Sequence, residues 1–247
     1  MSIYQGSLRL NAETAKDFKT ITEITGILTI TGKAKVELYE LNSVMAVVVE
    51  DKASLNLPNC HAISGDVLVG EEGRFTFFHT SELKNVIVKE KGYLSGECKK
   101  IKTLDVISSS QVSLYKCDSV DDDIRIHDGV VHLGKCKSVG GSIYVSGDAT
   151  LSLAACENVA GNITAFDNSD VLLPACTRVG GTIEPGLGCL VDLSSYPVQD
   201  VSEEMLDPIL RSRVKFKPLP LKVPQLPPDI DYDAIRAFMS PNMGITF

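Results

Sequence analysis

Six of the seven cysteines in this chain fall on one register: Cys60, Cys98, Cys117, Cys136, Cys156 and Cys176, at intervals of 38, 19, 19, 20 and 20 residues. The interval of 38 is two periods, with Thr80 standing where a cysteine is missing. A spacing this regular marks a repeat, and the length of a repeat limits the fold before any single residue suggests a chemistry. Other positions keep the same beat. Three residues after the register position stands an aliphatic residue, from Ile24 and Val44 through Ile63 and Leu83 to Val159, Val179 and Val198. Three residues before it stands another apolar residue (Phe18, Leu38, Leu57, Phe77, then Leu114 to Leu193), with Ser95 as the exception. Two residues past the aliphatic position comes Gly26, Gly65, Gly141, Gly161 or Gly181, replaced by Ala46, Asn85, Thr103 and Asp122 in other copies. The unit reads L-x-x-C-x-x-V-x-G-x-I-x-V.

Alternation such as Ile124-Arg-Ile126, Ile143-Tyr-Val145 and Val131-His-Leu133 has the period of two of half-buried strands. No helix of useful length fits between them, and helical repeats need about 33 residues or more per unit. The period suits one coil of a parallel β-solenoid or a very compact leucine-rich repeat, and the chain is expected to be all-β, a parallel β-solenoid of about nine to ten coils of 19–20 residues, stacked about 4.8 Å apart. The recurrent glycine is expected to give the backbone a tight corner or a positive φ.

Phe18–Ile30 reads F-K-T-I-T-E-I-T-G-I-L-T-I, and Leu173–Ile183 reads L-P-A-C-T-R-V-G-G-T-I. Over roughly residues 18–201 this resembles the leucine-rich-repeat variant of the receptor L domain type, L-x-x-L-x-x-I-x-G-x-L-x-I. The resemblance implies a right-handed solenoid. It lies in framework positions only, so it implies a coil and no activity. Cys stands here where that family has Leu.

Residues 1–17 are expected to form a cap with a short helix, Asn11 serving as its N-cap, since an open terminal coil would expose core and strand edges. Residues 18–201 are the repeats. Beyond them the composition changes: Pro218, Pro220, Pro224, Pro227 and Pro228 impose an extended path. Residues 202–247 are thus a Pro-rich tail with a short helix. Its apolar residues, among them Tyr232, Ile235, Phe238 and Phe247, are too many for a solvated tail. They are expected either to cover the last coil or to dock on a partner or a second copy of the chain.

A net charge of -8 argues against direct binding of nucleic acid, which calls for a basic stripe. No apolar run approaches the ~20 residues of a membrane span, and Met1–Gly6 has no basic and apolar leader pattern. Seven cysteines, an odd number, suit a reducing cytoplasm. The ladder itself is read as buried thiols rather than a zinc site, because no paired Cys spacing exists. No cofactor or metal is expected.

Candidate site residues lie off the core. In I-x-V the middle residue points outward, giving the file Leu68, Arg125, Tyr144, Thr164 and Glu184. Arg125 beside Tyr144 is the most interface-like pair, as both types are enriched at binding hot spots. Asp121, Asp122 and Asp123, with Asp118 and Asp128, form an acidic knot expected at one coil corner. It lacks the D-x-D-x-D-G pattern of a calcium loop. The leading expectation is a non-catalytic protein-binding scaffold that uses a rigid solenoid face and the tail, with a protein partner or self-association through the tail. Two others stand beside it. An acidic inhibitor of a nucleic-acid-binding protein would use the negative charge. A β-helix enzyme acting on polysaccharide would need clustered acids and aromatic sugar platforms, yet the chain has no Trp.

Overall fold

The computed structural model of the chain describes residues 2–196 and 214–216. It is a parallel β-solenoid of about ten turns. Each turn crosses two sheets. The first sheet carries the V-x-G-x-I-x-V part of the unit and the second carries the L-x-L part, and every ladder in both is parallel. Apolar residues from the two inner faces form one core, from Leu8 and Leu10 to Val191 and Leu193. The period of two in the sequence places them there: Val36/Leu38, Leu55/Leu57 and Phe75/Phe77 point inward from the second sheet, while Lys35, Asn56 and Thr76 point outward.

The segment read as the cap contributes two short strands, Ile3–Tyr4 and Leu8–Leu10, which pair with Glu23–Ile30 on the first sheet. A single 3-10 turn, Thr14–Phe18, stands where that coil would otherwise enter the second sheet, whose path ends at Lys35–Glu37. Asn11 holds the approach to it, its Oδ1 accepting from the amides of Glu13 and Thr14 at 2.9 and 3.0 Å. At the far end Val214–Phe216 pairs with Leu190–Leu193.

The first sheet changes character along the stack. Four of its early strands run unbroken for seven or eight residues, Glu23–Ile30, Ser43–Val49, Glu82–Val88 and Lys100–Ile107, whereas the coil between the second and third of these is split into Ala62–Ile63 and Val67–Val69. From Ser119 onward each is split into a two-residue piece and a second piece, such as Ser138–Val139 and Ile143–Ser146. The break falls at the glycine position. None of the register glycines Gly26, Gly65, Gly141, Gly161 or Gly181 has a positive φ, against that part of the expectation; what the structure shows at this position is close approach of the preceding coil, which the spacing did not announce. A Cβ on Gly65 would lie 2.7 Å from the Met45 carbonyl oxygen, and one on Gly140 or Gly180 would collide with the carbonyl of Asp121 or Ala160 in the preceding coil.

The Cys register is a buried ladder. All seven cysteines are free and buried. Within the ladder, Cys60, Cys117, Cys136, Cys156 and Cys176 each aim Sγ at the carbonyl two residues on, at 3.3 to 3.4 Å. Thr80 fills its place in the ladder, its hydroxyl donating to the Cys60 carbonyl at 3.0 Å. Cys189, off the register, belongs to a second file of small residues at the inside of the opposite corner: Ala34, Ala53, Gly73, Gly92, Ser110, Gly129, Ala149, Ser169 and Cys189. Backbone bonds such as Ser54 N to Ala34 O and Leu190 N to Ser169 O fix that alignment.

Candidate binding surface

The outward files of the first sheet bring Arg125 and Tyr144 together as the alternation predicts. They are register partners on adjacent coils, with the guanidinium carbon 6.0 Å from the ring centroid. Arg125 is held from its other side by Asp105, at 3.6 Å, and by Asp123. A guanidinium fixed between two carboxylates and laid against a ring keeps its plane and stays charged. Two residues further along the strands lies a parallel file in which Ile107 pairs with His127 and His127 with Ser146, their side chains linked through Nδ1 and Oγ at 3.0 Å. Phe166 follows, its amide bonding to the Val145 carbonyl. Ile107, Tyr144 and Phe166 are 39, 40 and 53% exposed, and Leu187 in the next turn is 74% exposed. Between the two files runs a hollow of about 250 Å³ lined by Asp105, Ile107, Arg125, His127, Tyr144 and Ser146. Thr164, expected to face solvent, is buried. Its register partners Tyr144 and Glu184 are longer and shade it from both sides.

The acidic residues do not form one corner. Asp118 follows the Cys117 register position, Asp121 to Asp123 occupy the break between the two pieces of the first-sheet strand, and Asp128 sits at the turn into the second sheet. Each has a local structural partner or faces water. Asp121 meets Lys100 Nζ at 2.8 Å, and that contact raises the Lys100 pKa. Asp122 is exposed, and its backbone carbonyl accepts from Gly141 N at 3.0 Å. Asp123 Oδ1 accepts from the Ser142 amide at 2.8 Å. Asp128 Oδ1 accepts from the Asp148 amide at 3.0 Å, and Oδ2 lies 3.2 Å from His127 Nε2.

Asp123 is the first rung of a polar ladder. In the next coils the Ser142 hydroxyl accepts from Asn162 N at 3.0 Å, and Asn162 Oδ1 accepts from Thr182 N at 2.9 Å. Each short side chain pairs an amide that the broken strand cannot pair, as buried backbone polar groups require. The file of Asp123, Ser142, Asn162 and Thr182 is therefore framework. His61 and His79 stack with ring centroids 5.9 Å apart. Among the described residues no group of three or more His, Cys, Asp or Glu side chains is placed to hold a metal ion. Nor is any helix there long and apolar enough to cross a membrane.

Sequence reasoning missed the turn that leads from the first sheet to the second. Asp51-Lys52, Glu71-Glu72, Glu90-Lys91 and Ser108-Ser109 are four stacked turns with both central residues at positive φ, the backbone of a type I′ turn. That turn normally advertises itself by Asn-Gly or Asp-Gly, and none of these pairs carries a glycine. The tail residues Tyr232, Ile235, Phe238 and Phe247 lie outside the described residues. No family model, no curated protein and no solved structure matches this chain.

Proposed function

We propose that the chain is a non-catalytic protein-binding scaffold whose first sheet is the docking face. The observation that carries this reading is the exposed Ile107, Tyr144 and Phe166 along two neighbouring files of the first sheet, with the Arg125 guanidinium laid against the Tyr144 ring. An aromatic and an arginine held on rigid strands lose little freedom on binding, and such residues dominate interface energetics. Stacked coils extend the surface without a hinge. The framework L-x-x-C-x-x-V-x-G-x-I-x-V supports kinship of the coil with the leucine-rich-repeat variant of receptor L domains. The buried, unpaired cysteines support a reducing compartment such as the cytoplasm. The tail is proposed as a second contact, for a partner or another copy of the chain.

The test is affinity capture from the native host with the full chain, with Tyr144→Ser and Phe166→Ser variants of unchanged thermal stability, and with a chain ended after Lys217. One retained protein should be lost at least tenfold in both surface variants, the loss of a single hot-spot contact of about 1.4 kcal/mol. Identical retention by all forms, or turnover on a panel of glycans, would overturn the reading.

A further inference from the structure

The four stacked turns flank a hollow whose charge opposes that of the chain. Their second members, Lys52, Glu72, Lys91 and Ser109, form one file. Beside it on the outer face of the second sheet runs another, Ser54, Arg74, Tyr93 and Gln111, fixed by register. The space along the two files measures about 500 Å³, within the range of small-ligand sites. The chain carries a net charge of -8, yet this hollow gathers Lys52, Arg74 and Lys91 against the single carboxylate of Glu72. Lys52 Nζ lies 3.3 Å from Glu72 Oε2. Among the described residues, no carboxylate comes within 4.0 Å of Arg74 or Lys91.

The donors are ready for a ligand. The Arg74 guanidinium lies 5.8 Å from the Tyr93 ring centroid, which orients its plane and leaves its N–H edge free. The backbone amides are already used: Lys52 N donates to Glu71 O, Glu72 N to Glu90 O and Lys91 N to Ser108 O, at 2.8 to 2.9 Å. Recognition therefore falls to side chains: the Arg74 fork, two ammonium groups, the Ser109 hydroxyl and the Gln111 amide. Lys52 and Lys91 hold φ of 65° and 62°, a conformation disfavoured for any residue with a Cβ. Other coils place Gly147 and Gly188 at positive φ in this turn. Glycine would relieve the turn but would delete the charge.

We propose that this hollow binds a phosphate monoester, carried on a small molecule or on a phosphorylated side chain. A forked guanidinium matches the oxygens of a tetrahedral anion. Two further cations, one of them already opposed by Glu72, call for a ligand of charge near -2, which a monoester carries near neutral pH and a diester or a single carboxylate does not.

The test follows amide shifts of Gly92, Tyr93 and Gln111 in the full chain during titration with inorganic phosphate, O-phosphoserine, a phosphoserine heptapeptide, dimethyl phosphate and glutamate. Saturable shifts are expected with the monoesters, growing stronger from pH 5 to 7.5 as the second phosphate proton, of pKa about 6, leaves. Arg74→Gln and Lys91→Gln should each weaken binding at least tenfold. Glu72→Gln should strengthen it severalfold, a change that a misfolded variant cannot produce. A heptapeptide bound tenfold more tightly than O-phosphoserine assigns the ligand to a protein, and equal affinity assigns it to a free monoester. Absence of saturation, equal binding of dimethyl phosphate, or indifference to Arg74→Gln and Lys91→Gln would overturn the proposal.

Discussion

Gly96 shows at the scale of one residue how the core tolerates an irregular copy of the repeat. Counting back three from Cys98 puts Ser95 at the inward position, where every other copy has an apolar side chain. In the structure it is Gly96 that pairs with Phe77 and Leu114 on the inward file, and Ser95 joins the outward one beside Thr76 and Ser113. The Phe77 ring fills the space: a Cβ on Gly96 would meet its Cδ1 and Cε1 at 2.8 Å and its carbonyl oxygen at 2.5 Å, against 3.5–4.0 Å for a comfortable contact. Large and small residues on neighbouring coils thus share one volume. Gly96→Ala is expected to destabilise the solenoid by about 1–3 kcal/mol, the range for overpacking. Adding Phe77→Leu should recover part of that loss, so that the two changes are not additive. Urea unfolding of the four proteins of the cycle measures it, and strict additivity would show that the ring and the glycine do not share the space. The sequence marked this coil as odd but not the residue responsible. A missing residue between Leu94 and Cys98 shifts the register by one, and spacing alone does not say on which side of Ser95 the shift falls.

At the scale of the strand, the break in the first sheet separates residues that look alike in sequence. Asp121, Asp122 and Asp123 are adjacent carboxylates, yet of their side chains only that of Asp123 pairs a backbone amide of the next coil, Ser142 N at 2.8 Å, while also holding Arg125. Asp123→Ala removes an acceptor and leaves the Ser142 amide unpaired, which costs about 1–3 kcal/mol. Asp122→Ala removes only an exposed side chain and should stay within about 0.5 kcal/mol. Chemical denaturation of the two variants separates them, and equal losses would mean that the polar ladder of Asp123, Ser142, Asn162 and Thr182 does not hold the break together. Alternation made Arg125 and Tyr144 legible, because a strand of period two fixes which side chains face out. It could not resolve the aspartates, since the chain is not a strand between Val120 and Ile124. The stacked turns were hidden for a related reason. Their positive φ is imposed by the coils above and below, through bonds such as Lys52 N to Glu71 O, rather than by glycine or asparagine in the turn itself.

For the whole molecule, the cysteine ladder turns the stack into its own gauge of opening. Burial pushes the Cys60 thiol up to about 11 and Cys156 to about 12. Cys176 is also raised by burial; Cys136 is raised by its contact with the Cys117 thiol and by burial, and Cys117 is raised overall, the lowering by Cys136 being outweighed by Cys98 and burial. Reaction requires the thiolate, so folded coils should resist alkylation at pH 8, where an exposed cysteine of pKa near 8.5 reacts readily. The same shifts set a pH dependence. Above about 8.5 the unfolded chain releases thiol protons that the folded chain keeps, so the folded state binds more protons and its stability falls as pH rises toward 11 and beyond. Melting at fixed ionic strength should therefore decline across that window, and replacing Cys60 and Cys156 with alanine or valine should flatten the decline. The order of labelling follows from geometry. Each coil touches only its neighbours, so opening proceeds inward from the ends of the stack. Under mild denaturant, Cys176 should be alkylated before Cys117 and Cys136, which have several paired coils on both sides. Mass spectrometry of a timed iodoacetamide reaction reads the sequence of events. Simultaneous labelling of all the cysteines would mean that the solenoid opens as one cooperative unit, its coils coupled too tightly along the continuous core for any end to open alone.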